Sequence, residues 1–359
     1  MISIADVTAR PLDIELNEPF GIATGAQHVA SNVLVTITLS DGTVGLGEAA
    51  PFPAVNGETQ SAVLSALSEA RAGLLGHDAL RFRPFAALLR EALPDVPTAR
   101  AACESALLDA LCRRSEISLW SFFGGAEPVL ESDITITTGS PESAERAAQR
   151  AVAAGFRTLK IKVGGSAFEH DRARLSAITR AAPHAELVLD ANAAFSAEEA
   201  LELLATLGAA KTRVSLFEQP CGKFDLDGLR RVREQSGTRV AADESACSAS
   251  DVVTLIRERA VDVINVKIMK SGVLEAASMI TCAQASGLGL MIGGMVESKL
   301  AMTVSACLAG GMGGVSFVDL DTPWFLKNAP VTGGWEEHGP ALRVDRIARG
   351  HGVKLTNPA

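Results

Sequence analysis

The chain has 359 residues, is 47% hydrophobic and 21% charged, and carries a formal net charge of −9. That composition is globular rather than disordered. The acidic balance and the lack of a basic stripe argue against a nucleic-acid partner, and no apolar stretch reaches membrane-span length. The length exceeds one ordinary compact domain and suits a barrel of about 250 residues with an added domain.

The N-terminus, MISIADVTARPLDIEL, alternates apolar and polar residues and lacks the basic-then-apolar order of a secretory signal. Six cysteines (Cys103, Cys112, Cys221, Cys247, Cys282 and Cys307) are scattered without a CxxC pair, which predicts free thiols in a reducing cytoplasm. Tyrosine is absent, so no phenol can serve as acid or base.

Residues 1 to 50 read as a β-meander with a hairpin turn at Asp41-Gly42. Segments 58–76, 79–93 and 97–115 have the apolar spacing of helices. Together they predict an α+β domain over residues 1–130. From residue 132 strands and helices alternate. ITITTG is followed by a capped helix start at Ser140-Pro141. Then come TLKIKV, LVLDAN, SLFEQP, VAADES, VINVKIMK, LGLMIGG and FVDLD. Eight strands separated by helices imply parallel pairing with right-handed crossovers. The expected fold is therefore α/β: a modified (β/α)8-type TIM barrel over 131–324. An N-terminal α+β capping domain covers it, and residues 325–359 return to that domain through the strand-like ALRV and GVKL.

Charged residues end these strands at intervals of 24 to 28: Lys162, Asp190, Glu218, Asp243 and Lys267, with Asp319 on the eighth. A parallel barrel gathers the C-terminal ends of its strands on one face, where active sites form. Asp190, Glu218 and Asp243 come from three successive strands and offer hard oxygen ligands suited to Mg²⁺. Any one of them could instead cap the following helix; three in succession argue for a shared site. No histidine or cysteine joins the set, which disfavours zinc. Lys160 and Lys162 share one face of a strand. Lys267 lies four strands round the barrel from Lys162, so the two amines would face each other across whatever the metal holds.

These segments, Lys160-Ile-Lys162, Asp190-Ala-Asn192, Glu218-Gln-Pro, Asp243-Glu-Ser and Val266-Lys267, resemble the enolase superfamily, muconate-lactonising subgroup, over essentially the whole chain. The resemblance implies one Mg²⁺ per subunit on Asp190, Glu218 and Asp243. It implies Lys162 and Lys267 as an acid/base pair, with Lys160 helping to neutralise an enolate. Within the subgroup, Asp319-Leu-Asp321 is similar to the DxD signature of dipeptide epimerases. Two carboxylates at a pocket rim suit the free α-amino group of a dipeptide and repel anionic acyl groups; alternatively, they cap a short helix near Thr322-Pro323.

Thr137, Asn192, Glu297 and Thr24 complete the expected substrate contacts, with Glu297 open to a helix-capping role instead. The segment GIATGAQHVAS after Phe20 is expected to close over the pocket. It holds no lysine or arginine, only His28, so an acidic second residue on the dipeptide is disfavoured and a small or apolar one is expected. N-acylamino acid racemase and muconate-type cycloisomerase activities stay open, as does a non-catalytic ligand-binding barrel. An acid-sugar dehydratase is disfavoured because no histidine ends a strand, and His170 and His184 are expected at the surface. Homo-oligomerisation is left open.

Overall fold

The computed structural model describes residues 2–22, 25–209 and 212–356. Two long strands, β1 (Ile4–Ile22) and β2 (Gly25–Leu39), pair antiparallel, with an irregularity between Glu15 and Phe20, and β3 (Val44–Ala49) adds to β2. The expected closing loop after Phe20 is thus the tip of a β-hairpin, because the ladder continues through Phe20–Gln27 and Gly21–Ala26. Thr24 lies outside the described residues. Gly21 seats this tip on the barrel: its carbonyl accepts the Thr138 N–H at 3.3 Å, and a side chain there would strike the Thr138 hydroxyl.

Helices α1 (Pro53–Asn56), α2 (Gln60–Leu74), α3 (Phe82–Ala92), α4 (Pro97–Arg114) and α5 (Leu119–Phe122) follow. The central helix α4 packs hard on β3. Gly45 and Gly47 permit this, since a Cβ at either would overlap the carbonyl of Ala106 or Ala102. Buried Val33, Val35, Ile37, Leu67, Leu89 and Leu107 form the core between sheet and helices.

After β4 (Val129–Glu131) come eight parallel strands in sequential order: β5 (Ile134–Ile136), β6 (Thr158–Lys162), β7 (Glu186–Asp190), β8 (Val214–Glu218), β9 (Val240–Ala242), β10 (Val263–Val266), β11 (Gly289–Ile292) and β12 (Phe317–Val318). They curl so that β5 and β12 meet, and the Asp133 N–H donates to the Val318 carbonyl at 2.8 Å. The connecting helices are α6 (Pro141–Ala153), α7 (Phe168–Ala181), α8 (Ala197–Ala209), α9 (Leu226–Ser236), α10 (Ala249–Glu258), the single turn α11 (Ile268–Ser271), α12 (Val273–Ala285) and α13 (Lys299–Met312). Ser140 caps α6 as its sequence predicts, accepting the Ser143 N–H. The last strand leads only into a 3-10 turn at Thr322–Phe325, so the barrel is of the modified kind.

The C-terminal strands are β13 (Val331–Gly333), β14 (Glu336–His338), β15 (Ala341–Arg343) and β16 (Val353–Leu355). β15 pairs with β4, while Leu326 and Val353 bury against Leu12, Phe20 and Leu34 of the hairpin. Among the described residues no helix is long and apolar enough to cross a membrane. All six cysteines are free thiols.

Candidate active site

Strand periodicity builds the site. The barrel floor is apolar: Val188, Leu216, Ala241, Val263 and Met291 cluster there, with Phe317 packed against them. Two residues further along a strand the side chain points the same way. Val188 is thus followed by Asp190, Leu216 by Glu218, Ala241 by Asp243, Val263 by Asn265 and Phe317 by Asp319. On β6 the inward positions are Lys160 and Lys162. An apolar plug below and charges above place the polar groups at the C-terminal mouth, nearly sealed from solvent.

Lys160, 1% exposed, is the hub: its Nζ lies 2.6 Å from Asp319 Oδ2, 2.7 Å from Glu218 Oε2 and 3.0 Å from Asp190 Oδ2. Lys162 Nζ donates to Asp190 Oδ2 at 2.6 Å. Across the mouth, Lys267 Nζ donates to Asp243 Oδ2 at 2.6 Å and sits 3.9 Å from Glu218 Oε1. Three contributors were not singled out from sequence. Lys270 donates to Asp243 Oδ1 and to the Asp243 carbonyl, each at 2.6 Å. Asn265 Nδ2 donates to Glu218 Oε1 at 2.7 Å. Gln219 Oε1 accepts the N–H groups of Asp243 and Ser245. Asn265 was detectable as a polar residue on the inward face of an apolar strand, and Lys270 by its one-turn spacing from Lys267.

Charge balance explains the protonation behaviour. Burial would raise the Asp190 carboxyl, but Lys160, Lys162 and Lys267 hold it below the usual range. Asp243 is likewise held low, against burial, by Lys267 and Lys270. Burial, then the neighbouring Asp190 charge, pushes Glu218 up to about 7. Burial would lower the Lys267 ammonium, but Asp243 and Glu218 hold it above the usual range; Lys160 is raised well above it, against burial, by Asp190, Asp319 and Glu218. Asn192, Ala193 and Gln219, just past β7 and β8, adopt left-handed backbone (φ 44°, 65° and 36°). Such strain is uncommon for residues with a Cβ and is tolerated where surrounding structure fixes it.

A cavity opens above this layer. Lys162, Lys267, Asn192, Asp319 and Asp321 line its polar side, with Thr135 and Thr322. Phe20 and Phe52 with Val55, from the capping domain, and Met295 with Val296, from the loop after β11, line the apolar side. A larger surface cleft lined by Leu204, Thr212 and Gln235 holds none of these residues. Asp321 starts the 3-10 turn without capping it; its Oδ2 accepts the Thr135 N–H at 2.6 Å instead.

Thr137 and Glu297 do not line the cavity. The Thr137 carbonyl accepts from Arg174 Nη2 at 2.8 Å, and Thr135, one inward position earlier, takes the cavity wall. Glu297 lies behind the loop it ends, where its Oε1 accepts the Met295 N–H at 2.7 Å; burial pushes its carboxyl up to about 8. His28 is exposed on β2, His184 is exposed after α7, and half-buried His170 contacts the Gly139 carbonyl.

Asp190, Glu218 and Asp243 are hard oxygen donors at the ends of three successive strands, so their chemistry fits a divalent cation, although lysine ammonium groups hold their oxygens here. Their oxygens stand apart with lysines between them. Among the described residues, the carboxylates that converge within 4.8 Å of one another are those of Asp133, Asp319 and Asp321.

A curled parallel barrel with carboxylates and lysines at the strand ends, roofed by an α+β domain, defines an enolase-type protein. Residues 4–124 match the N-terminal domain of the mandelate racemase / muconate lactonizing enzyme family, and residues 142–359 match the enolase C-terminal domain-like family. The chain belongs to the mandelate racemase / muconate lactonizing enzyme family of the enolase superfamily. It is 48% identical over 353 residues to an aromatic dipeptide epimerase of Herpetosiphon aurantiacus, covering 98% of this chain and 99% of the relative. A mandelate racemase/muconate lactonizing enzyme of Roseiflexus sp. has the same fold (50% identity, TM-score 0.93, 99% and 98% covered). So does a dipeptide epimerase of Enterococcus faecalis V583 complexed with Mg and L-Leu-L-Tyr (33% identity, TM-score 0.93, 98% and 99% covered).

Proposed function

We propose that the protein is a magnesium-dependent isomerase that epimerises dipeptides at the α-carbon of the C-terminal residue. The observation that carries this reading is one cavity lined by two lysines from β6 and the end of β10 and by the aspartate pair after β12. The names of the relatives support the same substrate class. A Mg²⁺ ion held by Asp190, Glu218 and Asp243 would polarise the substrate carboxylate and take up carboxylates that otherwise hold the lysine ammonium groups.

The remaining chemistry belongs to the chain. The α-proton of a peptide's C-terminal residue is a very weak acid, so the charge released on its removal must be stabilised as it forms. Lys160, whose ammonium lies among the carboxylates of Asp190, Glu218 and Asp319, supplies a positive charge beside that position. Lys162 removes the proton from one face. Lys267, entering as an ammonium, returns one to the other face, and the two roles exchange for the opposite configuration. Asp319 and Asp321 receive the substrate's free α-ammonium, which fixes the register of the dipeptide. Asn192 steadies Lys162 with an amide oxygen 3.4 Å away.

The walls formed by Phe20, Phe52, Val55, Met295 and Val296 favour an apolar or aromatic side chain, since no cation stands among them to meet an acidic one. Residues 1–130 act as the roof, 131–324 as the catalytic barrel and 325–359 as the return that ties them together. Six free thiols support a cytoplasmic setting.

Incubating the protein with MgCl₂ and L-Ala-L-Phe in D₂O tests the reading. Deuterium should enter the phenylalanine α-position as the L,D diastereomer accumulates. Unchanged substrate across a panel of apolar, aromatic, acidic and basic dipeptides would refute it.

A further inference from the structure

The seam where the barrel closes holds a group that the cavity itself does not reveal. Asp133, just before β5, lies beside Asp319 and Asp321, just after β12, with one carboxylate oxygen of each within 4.8 Å of the others. All three are buried, and Asp133 is only 3% exposed. The backbone clamps them in place. The Asp133 N–H donates to the Val318 carbonyl at 2.8 Å. The Ser132 hydroxyl accepts the Leu320 N–H at 3.1 Å and donates to the Asp133 carbonyl at 3.0 Å. Asp319 and Asp321 line the cavity; Asp133 stands behind them.

The cluster is short of hydrogen-bond donors. Asp319 Oδ2 accepts from Lys160 and Asp321 Oδ2 from the Thr135 N–H. Asp133 Oδ1 and Asp321 Oδ1 are buried with no partner. An unpartnered buried carboxylate oxygen is costly and signals a missing donor. The groups missing here are N–H or O–H donors, which a bare divalent ion does not supply. A monocation carrying its own N–H groups supplies them.

We propose that Asp133 is a positioning residue of the ammonium subsite, a third carboxylate whose charge, acting through Asp319 and Asp321, makes the cavity select a primary ammonium over an acylated nitrogen. This rests on the dipeptide reading given above. Burial, then Asp319 and Asp321, push the Asp133 carboxyl well above the usual range despite Lys160, with Glu218 adding to the rise, so it takes its charge only when a cation is bound nearby. Burial and Asp319 push Asp321 up to about 7. A bound ammonium supplies the positive charge that this cluster lacks.

The test compares kcat and KM for L-Ala-L-Phe and for N-acetyl-L-Ala-L-Phe, with magnesium, in the wild type, Asp133→Asn, Asp133→Ser and Asp321→Asn. Losing the third carboxylate should raise KM for the free amine about tenfold, as expected for one charge-assisted interaction. The kcat should stay within about twofold, as expected for a residue that does not touch the reacting atoms. KM for the acetylated substrate should not rise, so the preference for the amine falls. Asp133→Ser keeps the test open if the asparagine variant does not fold. Equal changes for both substrates, or no change for either, would overturn the role of Asp133. If Asp321→Asn also leaves the amine preference intact, or the wild type has none, the ammonium reading itself falls. If Asp321→Asn abolishes the preference while the Asp133 variants keep it, only the present inference falls.

Discussion

Replacing Lys160 with methionine removes the charge at the centre of the site while nearly preserving its volume. In the cation-free protein, Asp190 would keep Lys162 and Glu218 would keep Asn265, but Asp319 would lose the lysine that holds it. A buried carboxylate without a counter-charge takes up a proton rather than remain ionised. The cost is therefore bounded by the work of protonating it. For an ordinary aspartate at pH 7 that is about three pH units at 1.36 kcal/mol each, or about 4 kcal/mol. This falls within the roughly 3–5 kcal/mol seen when one partner of a buried ion pair is removed. At pH 5 the same reasoning leaves only about 1.5 kcal/mol. Urea unfolding of Lys160→Met and wild type, both in chelator, measures the difference at each pH. Magnesium should narrow the gap, because a cation replaces part of the lost positive charge. Equal stability at pH 7, or a deficit that does not shrink at pH 5, would refute the reasoning.

Other consequences can be measured separately. Buried Glu104 has its carboxyl pushed up to about 7 by that burial, against the N–H groups of Leu274 and Val273. The folded chain therefore holds a proton that the unfolded chain releases near pH 4.5; this contribution to stability is present below that pH and lost as pH rises through 7. It amounts to roughly 3 kcal/mol at most, and Glu104→Gln should flatten the stability profile across that window in chemical denaturation. Glu48 ties the capping sheet to α13 by accepting from Asn32 (2.7 Å), the Ser298 N–H (2.9 Å) and hydroxyl (2.5 Å), and the Ala301 N–H (3.2 Å). Glu48→Ala leaves at least two buried backbone donors unpaired and should cost about 2–5 kcal/mol, read as a lower urea midpoint. Val55→Arg should place a cation on the apolar wall and shift the preferred dipeptide toward an acidic C-terminal residue, seen as a rise of about tenfold in relative kcat/KM for L-Ala-L-Glu over L-Ala-L-Phe.

The parts of this molecule that could be read from its sequence follow a short-range rule. A charge at the end of an apolar strand run has one inward direction, so Lys162, Asp190, Glu218 and Asp243 mark a common face in the sequence alone. The 3.6-residue pattern likewise placed α2 and α4 within two residues of where they lie. Asp133 was not legible, because it precedes its strand instead of ending it. Strand stagger in a closed barrel brings the start of β5 level with the end of β12, and that register is a property of the closed ring, absent from any single segment. Glycine and small residues after Phe20 suggest a loop, whereas cross-strand pairing extends the hairpin through Phe20–Gln27 and Gly21–Ala26. The displacement of Glu297 behind its own loop also escaped the sequence, since a carboxylate binding a backbone N–H two residues earlier has no signature in composition or spacing.

The most direct test of the account lies with the two amines across the cavity. Lys162→Ala and Lys267→Ala should each be assayed for α-deuterium uptake from L-Ala-L-Phe and L-Ala-D-Phe separately, in D₂O with magnesium. Each variant should lose epimerisation by at least about 10²-fold, the lower end of the contribution of a positioned acid or base. Each should retain exchange with one diastereomer only, and the retained diastereomer should differ between the two variants. Exchange of both diastereomers at the wild-type rate by either variant, or retention of the same diastereomer by both, would contradict a proton removed on one face and returned on the other.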